Sequence, residues 1–495
     1  MRITLLIIYS CLISSLMGYG QSYTGTVVDD ATEEVLPFTN IHVIEHNLGT
    51  ISNVEGVFVL DQALLSLDDS VKFSFVGYET LKIHISELQR QNVVRLQPAI
   101  INLDEVAVTS KEVDVKDIVK QIKERYEQNY PEVNAKRRIF YHRFEKTPFG
   151  EENAIKIKQS DFGGLDKETI KELIDQLPKE FIDYQDAVVD LYVENDESKL
   201  VSIDAVSKEA SSVQDIGKEL EKRLEGLLED IRQTQQNEEV YYKFRSGILA
   251  FKAELNPEDT ISFDEIDTNF YEVPVPHIKG NINYVFKEFA SLEGKNWQFI
   301  NHPGKYKYEL LRVSLMEESL VYEIAFKPRV GGLFEGLMYV DINDFGVPMM
   351  EYNYASEKTS QNIDILGVSH SMRDMTGRVI FRKDTDGYHL KYVSATQNEF
   401  SAIDRPFSIM KKQRRWLFDK ELSELKMKLQ IDFDVHTSWE ILVMNQEAID
   451  QSMYTGIEES KKIRFMKEYV ESAEMWSQGT AIAPKQELAH FSTNK

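Results

Sequence analysis

Tyr23-Thr24-Gly25-Thr26-Val27-Val28-Asp29 opens a region, residues 22–98, in which short apolar runs alternate with turn residues. Short runs at this spacing, broken by glycine, aspartate and asparagine, are typical of a small β-sandwich. The sequence therefore predicts a sandwich over residues 21–98. Its predicted strands lie in Tyr23–Val28, Leu36–Ile41, Gly49–Ser52, Val57–Leu60, Val71–Val76, Leu81–Ile85 and Val93–Leu96.

The same region carries a family resemblance, because six of its segments resemble, in order and spacing, the carboxypeptidase regulatory-like domain. These segments are Gly25–Asp29, Leu36–Ile41, Gly49-Thr50, Asn53–Phe58, Phe73–Glu79 and Leu103–Thr109. The resemblance implies a prealbumin-like sandwich. Domains of this family occur beside metallocarboxypeptidases and ahead of the plug in TonB-dependent receptors of Gram-negative bacteria. It covers about the first fifth of the chain, and function has to be argued from the rest.

Residues 1–20 have the pattern of a secretory signal peptide, with Arg2 first, an apolar stretch over Ile3–Met17 and a small-x-small site at Gly18-Tyr19-Gly20. The alternative is a membrane anchor, but the stretch is shorter than the ~20 residues that a spanning helix needs. We expect cleavage and export to the periplasm or the outer membrane.

Cys11 is the only cysteine. Ile8-Tyr9-Ser10-Cys11 is a crude lipobox, so acylation of Cys11 is an alternative to cleavage after Gly20. Cleavage after Gly20 leaves a mature chain without a thiol, which excludes disulfides, cysteine nucleophiles and cysteine–metal sites.

Composition and charge narrow the classes of function. The chain has 495 residues, 42% of them hydrophobic, which predicts a folded protein of two or three domains. The formal net charge of −25 disfavours nucleic-acid binding and allows at most local, peripheral membrane contact.

After the sandwich the hydrophobic pattern takes a helical period, with one apolar face from Val115 to Tyr126 and a stop at Asn129-Tyr130-Pro131. A strand is predicted at Ile139–Arg143. These segments resemble the second part of a group of uncharacterised envelope proteins. We therefore divide the chain into a signal peptide (1–20), the sandwich (21–98), a linker and helix (99–137) and an α+β domain (138–495).

Residues 205–237 are predicted to be a charged helical insertion with an apolar stripe, packed on its own protein rather than on a partner. The stripe consists of Val213, Ile216, Leu220, Leu224, Leu227 and Ile231.

Residues 306–394 predict an antiparallel meander, with reversals at Asp344-Phe345-Gly346 and Asp386-Gly387. Helices are predicted after it at Ser408–Leu417 and Glu459–Met475. The fold class is multidomain α+β, a prealbumin-like sandwich followed by an antiparallel sheet with flanking helices, loosely similar to periplasmic lipoprotein carriers. The predicted strands are Tyr308–Leu315, Leu320–Phe326, Gly336–Ile342, Val347–Tyr354, Arg378–Lys383 and Tyr388–Ser394.

His42-Val43-Ile44-Glu45-His46 matches the H-x-x-E-H string of zinc peptidases. In those enzymes the ligands share a helix face, whereas here they fall in a predicted strand and turn, so a strand edge is the better interpretation. The other histidines, such as His277, His302 and His370, are isolated, and no metal site is predicted.

Sequence motifs for other catalytic or metal-binding chemistry are absent or incomplete. The sequence has no G-x-S-x-G elbow and no Gly-rich phosphate loop. Asp384–Gly387 and Asp341–Asp344 offer oxygens to calcium, but neither has the closing glutamate, which favours hairpin turns. We predict no catalytic residue, no metal and no cofactor.

Two further sequence features are compatible with either a binding role or a structural role. Lys411–Trp416 is the one basic cluster and suits either anionic headgroups, with Trp416 at the interface, or a solvated helix face, and we favour the solvated helix face. The tyrosine pairs Tyr241-Tyr242 and Tyr352/Tyr354 suit either a glycan or lipid groove or sheet packing, and we favour packing.

Together these patterns predict a non-enzymatic envelope protein. Its sandwich would serve as a docking module for a β-rich domain that binds an envelope protein or an apolar or glycan ligand. The alternative is a hydrolase with an unrecognised site. A TonB-dependent receptor is excluded because fewer than 400 residues follow Thr109, too few for a plug and a barrel.

Overall fold

The computed structural model describes residues 22–46, 48–61, 65–99, 114–148, 154–162, 167–175, 179–195, 197–209, 227, 229–231, 233–234, 239–247, 249–252, 270–467 and 482. The predictions on the signal peptide and on Cys11 lie outside these residues, as does Leu103–Thr109.

Two small sheets form the N-terminal sandwich, one with strand order β4-β1-β7 and one with order β3-β2-β5-β6. The short helix α1 (Ile85–Leu88) follows β6. The strands are β1 (Ser22–Asp29), β2 (Asn40–Val43), β3 (Leu48–Ile51), β4 (Val57–Asp61), β5 (Ser70–Ser74), β6 (Leu81–His84) and β7 (Val93–Leu96).

The core of the sandwich is built from alternate residues of these strands. Ile41, Phe58 and Phe73 are fully buried, and the rings of Phe58 and Phe73 meet edge to face at 5.2 Å. Burying one such ring contributes about 1.5–3 kcal/mol, so a core of this kind holds together two layers of short strands. The predicted β-sandwich is confirmed.

A much larger sheet of sixteen strands dominates the rest of the described chain, in the order β14-β23-β11-β10-β8-β22-β21-β20-β18-β17-β16-β15. The additional strands pair with the long central ones: β9 with β22, β12 with β21 and with β13, and β19 with β20. Nearly all neighbours are antiparallel. The strands are β8 (Ala135–Pro148), β9 (Ala154–Ser160), β10 (Glu180–Glu194), β11 (Glu197–Glu209), β12 (Val240–Ser246), β13 (Leu249–Lys252), β14 (Phe270–Pro274), β15 (Tyr306–Met316), β16 (Ser319–Pro328), β17 (Phe334–Asp341), β18 (Met349–Tyr354), β19 (Ser360–Ile365), β20 (Val368–Asp384), β21 (Gly387–Gln413), β22 (Lys420–Ala448) and β23 (Lys462–Lys467).

Helices cover one face of this sheet, which we call the helical face. The longest, α5 (Val275–Ala290), buries Ile278, Ile282 and Phe289 against it. The remaining helices are α2 (Val115–Glu124), α3 (Tyr126–Asn129), α4 (Lys167–Asp175), α6 (Gln298–Asn301), the 3-10 turn Pro303–Lys305 and α7 (Gln451–Gly456).

The helix α2 forms where the sequence predicts it. Asp114 caps its first turn by accepting a hydrogen bond from the backbone N–H of Lys116 at 2.9 Å. Ile118, Val119 and Ile122 share one face and are buried in the core beneath the helical face. The helix is therefore part of the large domain's core.

Long-range strand pairing overturns three predicted helices. Ser408–Leu417 is not a helix, because β21 runs to Gln413 and is paired on both sides, with β12 and β22. Glu459–Met475 is not a helix where it is described, because it contains β23. The predicted insertion 205–237 begins with strand, since β11 extends to Glu209.

Other predictions hold. All six strands predicted between residues 306 and 394 exist, with the reversals where the sequence places them. Of the predicted apolar stripe, Leu227 and Ile231 are helical and buried against Tyr242 and Leu425, while its other four residues lie outside the described chain. Among the described residues, no helix has the length and the apolar character needed to cross a bilayer.

Candidate functional site: the docked sandwich and the groove beside it

The sandwich packs on the face of the large sheet opposite the helices, which we call the docking face. Ile51 of the sandwich is fully buried in a cluster with Met349, Ile380 and Tyr392 of the sheet. A backbone hydrogen bond of 2.7 Å from Gly77 N–H to the Leu315 carbonyl joins the two units. Apolar burial and a main-chain bond together fix the sandwich in one position.

Glu317, at the turn between β15 and β16, inserts its carboxylate into the sandwich. It accepts hydrogen bonds from Asn40 Nδ2 at 3.0 Å, from Ser74 Oγ at 3.3 Å and from Lys72 Nζ at 3.1 Å. The Thr80 hydroxyl donates to its backbone carbonyl at 3.4 Å. Four groups of the sandwich thus converge on one residue of the sheet domain.

Lys391 is the most unusual side chain of this interface. It is only 3% exposed, and burial, followed by the charge of Arg382, lowers the pKa of its ammonium to about 7. A Cβ added to Gly49 of the sandwich would lie 2.2 Å from Lys391 Nζ, so glycine is required there if the lysine stays in place. Burial, with Lys391 nearby, also lowers the pKa of His42 to about 4.

Removing the Glu317 carboxylate should loosen the sandwich. We expect Glu317→Ala to lower the free energy of unfolding by about 2 kcal/mol, because three donors lose a shared charged acceptor and Lys72 loses its ion pair. The measurement is chemical denaturation with amide exchange of β2 and β5. Glu318→Ala, at the exposed neighbouring position, is the control, and equal losses in both variants would contradict this role of Glu317.

Arg378 lies at the edge of the contact between the sandwich and the large sheet. Its guanidinium lies 3.7 Å from the centroid of the Phe38 ring, and its Nε donates to Glu351 at 2.8 Å. Phe38 belongs to the sandwich, whereas Arg378 and Glu351 lie on β20 and β18. The arginine is therefore held in a defined orientation by both domains.

A groove of about 700 Å³ runs along the docking face from this arginine. Its walls come from β16, β17, β18, β20 and β21. The residues that line it are Ala325, Phe326, Lys327, Glu335, Gly336, Leu337, Glu351, Tyr352, Asn353, Asp374, Thr376, Gly377, Arg378 and Ser394.

The groove is polar and carries both signs of charge. Lys327 and Arg378 are its cations, while Glu335, Glu351 and Asp374 are its anions. Alternation along the strands points these side chains to the docking face, whereas their sequence neighbours belong to the core beneath the helices. Such a lining suits a ligand that presents charges and hydrogen-bonding groups in a row, and it suits an apolar ligand poorly.

A histidine–carboxylate pair also lies on the docking face. His142 Nδ1 lies 2.6 Å from Asp186 Oδ1, and the Tyr184 hydroxyl donates to Asp186 Oδ2 at 2.7 Å. All three residues are buried, at 5%, 1% and 3% exposure. The pair is hydrogen-bonded within the fold, and its groups are buried.

One group among the described residues has the ligand spacing of a metal site: Asp384, Asp386 and His389, whose donor atoms lie within 4.8 Å of one another. Arg382 already binds Asp384 at 2.6 Å, and His389 lies 2.9 Å from Asp386. The arrangement closes the β20–β21 hairpin, as the predicted turn at Asp384–Gly387 requires.

The H-x-x-E-H residues do not converge. His42 lies in β2, while Glu45 accepts a hydrogen bond from Ser70 N–H at 2.8 Å and His46 lies 2.8 Å from Asp69. The prediction of a strand and turn is confirmed.

The second calcium-like segment is a turn closed by a lysine. Lys383 Nζ lies 2.9 Å from Asp341 and 2.5 Å from Asp344. Tyr242, Tyr352 and Tyr354 are buried in cores, as the packing interpretation of the tyrosine pairs expects, whereas Tyr241 is only half-buried.

No curated protein matches this chain. Two solved structures are similar to it, both with very low identity and TM-score. The first is the crystal structure of MucB in complex with MucA(peri), with 7% identity over 68% of this chain and 100% of that chain and a TM-score of 0.17. The second is the MucA/MucB complex of Pseudomonas aeruginosa, with 8% identity over 68% of this chain and 99% of that chain and a TM-score of 0.15. Similarity at this level supports no conclusion about fold or function.

One family matches part of the chain. Residues 23–108 match the CarboxypepD_reg-like domain, and the described strands of that segment form the two-layered sandwich. The match does not extend to the large sheet. The N-terminal sandwich of this protein is a carboxypeptidase regulatory-like domain.

Proposed function

We propose that this protein is a non-enzymatic binding protein of the cell envelope, in which the carboxypeptidase regulatory-like domain docks on the large sheet and, through Phe38, orients Arg378 at the start of its binding groove. The ligand is a polar segment of a partner polypeptide. This proposal rests above all on the open groove of about 700 Å³ that begins at Arg378, which is fixed between Phe38 and Glu351.

The lining supports a polypeptide more than the other ligands considered. A polypeptide segment presents alternating donors, acceptors and charges, which the groove can meet with Lys327, Asp374 and Glu335. A glycan groove commonly offers an open aromatic face, but the Phe38 ring beside this groove is covered by Arg378. An apolar ligand would leave the charged lining desolvated and unpaired.

The hydrolase alternative receives less support from the described residues. The best candidate for acid–base chemistry is His142 with Asp186, and both are buried. A catalytic pair has to reach the reacting atoms within hydrogen-bonding distance. The groove, by contrast, is open, and its lining groups suit the binding of a ligand rather than the activation of a nucleophile.

Export to the envelope is also part of the proposal, and it is supported by the signal-like pattern of residues 1–20. We expect cell fractionation to place the protein in the periplasm or at the outer membrane, with a mature N-terminus near Gln21. A protein that stays in the cytosol with Met1 intact would contradict this predicted location.

Site-specific photo-crosslinking in cells tests the groove. A benzophenone amino acid at Thr376, inside the groove, should give an adduct with a polypeptide, because a bound segment would pass within reach of it. The same probe at Glu293, an exposed position next to α5 on the helical face, should give none.

Two arginines of the same strand provide a matched comparison. Arg378→Gln should remove most of the adduct at Thr376. Arg373→Gln should not, because Arg373 pairs with Asp434 at 2.6 Å and lies over Phe400, outside the groove lining. Equal adducts at Thr376 and Glu293, or an adduct to a glycan or lipid, would overturn the proposed ligand class.

A further inference from the structure

The longest hairpin of the sheet, β21–β22, extends beyond the end of the neighbouring strand β20. Strand β20 stops pairing with β21 at Ile403, but β21 and β22 remain paired as far as Gln413 and Lys420. Ten more residues at about 3.3 Å each carry the end of this hairpin roughly 30 Å past the β19–β20 turn. We call residues 414–419 the hairpin tip.

The hairpin is supported along this length. β12 pairs with β21 over residues 407–413, and β9 pairs with β22 over residues 425–430. Leu227 and Ile231 pack on the pairs formed there. The tip is therefore presented by an ordered, multi-stranded extension.

The tip itself is apolar and exposed. Trp416 is 94% exposed, Leu417 70% and Phe418 84%, and the three are consecutive. Scattered apolar residues on a surface are ordinary, but three adjacent large ones at the end of an extension mark a surface that binds something.

Basic side chains surround these three residues in a chain whose net charge is −25. The segment 411–421 contains five basic residues and two acidic ones. Of the acids, Asp419 accepts a hydrogen bond of 2.6 Å from the Tyr241 hydroxyl, which holds it beside the strand. The basic residues are Lys411, Lys412, Arg414, Arg415 and Lys420, of which Lys411 is already ion-paired with Asp230 at 2.6 Å.

This combination points to a bilayer. Aromatic residues favour the interface between headgroups and acyl chains, and lysine and arginine just behind them attract anionic headgroups. A stable protein partner normally covers about 800 Å² of each surface, which a six-residue turn at the end of a hairpin cannot offer by itself. A bilayer needs no matching concave surface.

We infer that the hairpin tip is a membrane-docking element. Trp416, Leu417 and Phe418 enter the interfacial layer of a bilayer that contains anionic lipid, and Arg414 and Arg415 bind the lipid headgroups. The acidic remainder of the chain is repelled by the same surface, so the molecule stands on the membrane tip first. This inference does not depend on the groove or on its ligand.

Vesicle binding by the full chain tests the inference. The protein should co-float with vesicles of equimolar phosphatidylcholine and phosphatidylglycerol. The triple variant Trp416→Ser, Leu417→Ser, Phe418→Ser should bind about 100-fold more weakly, since three apolar side chains lose their burial. Arg414→Gln with Arg415→Gln should cost about tenfold and reduce the sensitivity of binding to salt.

A second exposed apolar turn supplies the matched control. Ile363, Ile365 and Leu366 of the β19–β20 hairpin are 49%, 62% and 56% exposed but have no basic cluster beside them. Changing all three to serine should leave vesicle binding unchanged. Unchanged thermal unfolding of each variant shows that a loss of binding is not a loss of fold.

Fluorescence reports the depth of the tip through the comparison of wild type with Trp416→Phe, because Trp416 is exposed, Trp297 and Trp439 are buried, and the fourth tryptophan, Trp476, lies outside the described residues. Wild-type emission should shift to the blue on vesicles, and Trp416→Phe should abolish the shift while keeping most of the binding. The inference is overturned if the wild type does not bind anionic vesicles or binds pure phosphatidylcholine vesicles equally well. It is also overturned if the tip variants keep their vesicle binding and lose only binding to a protein.

Discussion

Replacing Lys391 by methionine should stabilise the folded protein, and the gain should shrink as the pH rises. Lys391 is 3% exposed, and the hydrogen bond that it donates to the Val443 carbonyl is long at 3.4 Å. Burial and the nearby charge of Arg382 both disfavour the ammonium form. Methionine keeps a similar length and volume without the charge.

The sign follows from the lowered pKa. The pKa of Lys391 falls from its ordinary 10.5 to about 7 on folding. Between these two values the unfolded chain binds the proton and the folded chain does not, so stability rises with pH. The cost of the lysine is therefore complete below about pH 7 and disappears as the pH approaches 10.5.

The size of the effect is set by the same two pKa values. Each pKa unit corresponds to about 1.4 kcal/mol, which gives an upper bound of roughly 5 kcal/mol below neutral pH. Relaxation of the structure around the buried ammonium makes the actual loss of stability smaller than this upper bound. We expect Lys391→Met to raise the free energy of unfolding by about 3 kcal/mol at pH 6.

Denaturant unfolding of both proteins at pH 6 and at pH 10 measures this. Lys461→Met, at an exposed lysine, is the control and should change neither value by more than a few tenths of a kcal/mol. A difference between Lys391→Met and wild type that is the same at the two pH values would show that the lysine is not held neutral by its surroundings.

This prediction concerns docking as well as stability, because Lys391 lies at the contact between the two domains. Its Nζ fills the space that Gly49 leaves by having no side chain. The charge that forms there below neutral pH is compensated mainly by Glu317, which raises the pKa of Lys391 and is shared with Lys72. The stability of the domain contact is therefore expected to depend on pH in this range.

Local sequence patterns were sufficient for the sandwich and for the meander. In both, strands alternate in polarity and are separated by short turns, as at Asp386-Gly387, and this pattern locates the strands even where the partner is distant, as β7 is from β1. Local pattern failed at Ser408–Gln413 and Lys462–Lys467. The partners there, β12 and β14, are distant in sequence, and charged positions such as Lys411 and Lys412 gave no alternation to distinguish strand from helix.

The groove and the docking contact could not be predicted from sequence. Phe38 and Arg378 are separated by 340 positions, and Asn40 and Glu317 by 277. Phe38 and Asn40 belong to the family segment Leu36–Ile41, but that segment does not indicate their partners, and an arginine or a glutamate near a turn is common. Only the register of the strands and the placement of the sandwich bring these side chains together. The basic cluster at Lys411–Trp416 was visible in sequence, but its presentation on a hairpin was not.

Gly336→Ala should be among the most destabilising single substitutions in the large sheet. Gly336 pairs with Tyr352 across β17 and β18, and a Cβ there would lie 2.0 Å from the backbone carbonyl oxygen of Glu351. Rotation of a side chain cannot relieve a contact with backbone, so the two strands would have to separate. We expect a loss of about 3 kcal/mol in the free energy of unfolding.

The consequence extends to the groove, because Gly336 and Glu351 both line it and Glu351 holds Arg378. Gly280→Ala is the matched control: Gly280 is exposed within α5 and a Cβ there meets nothing within 4 Å, so alanine should stabilise the helix by about 1 kcal/mol. Opposite signs for the two substitutions in denaturant unfolding are the expected result. A neutral Gly336→Ala would mean that β17 and β18 are not held at the spacing on which the groove depends.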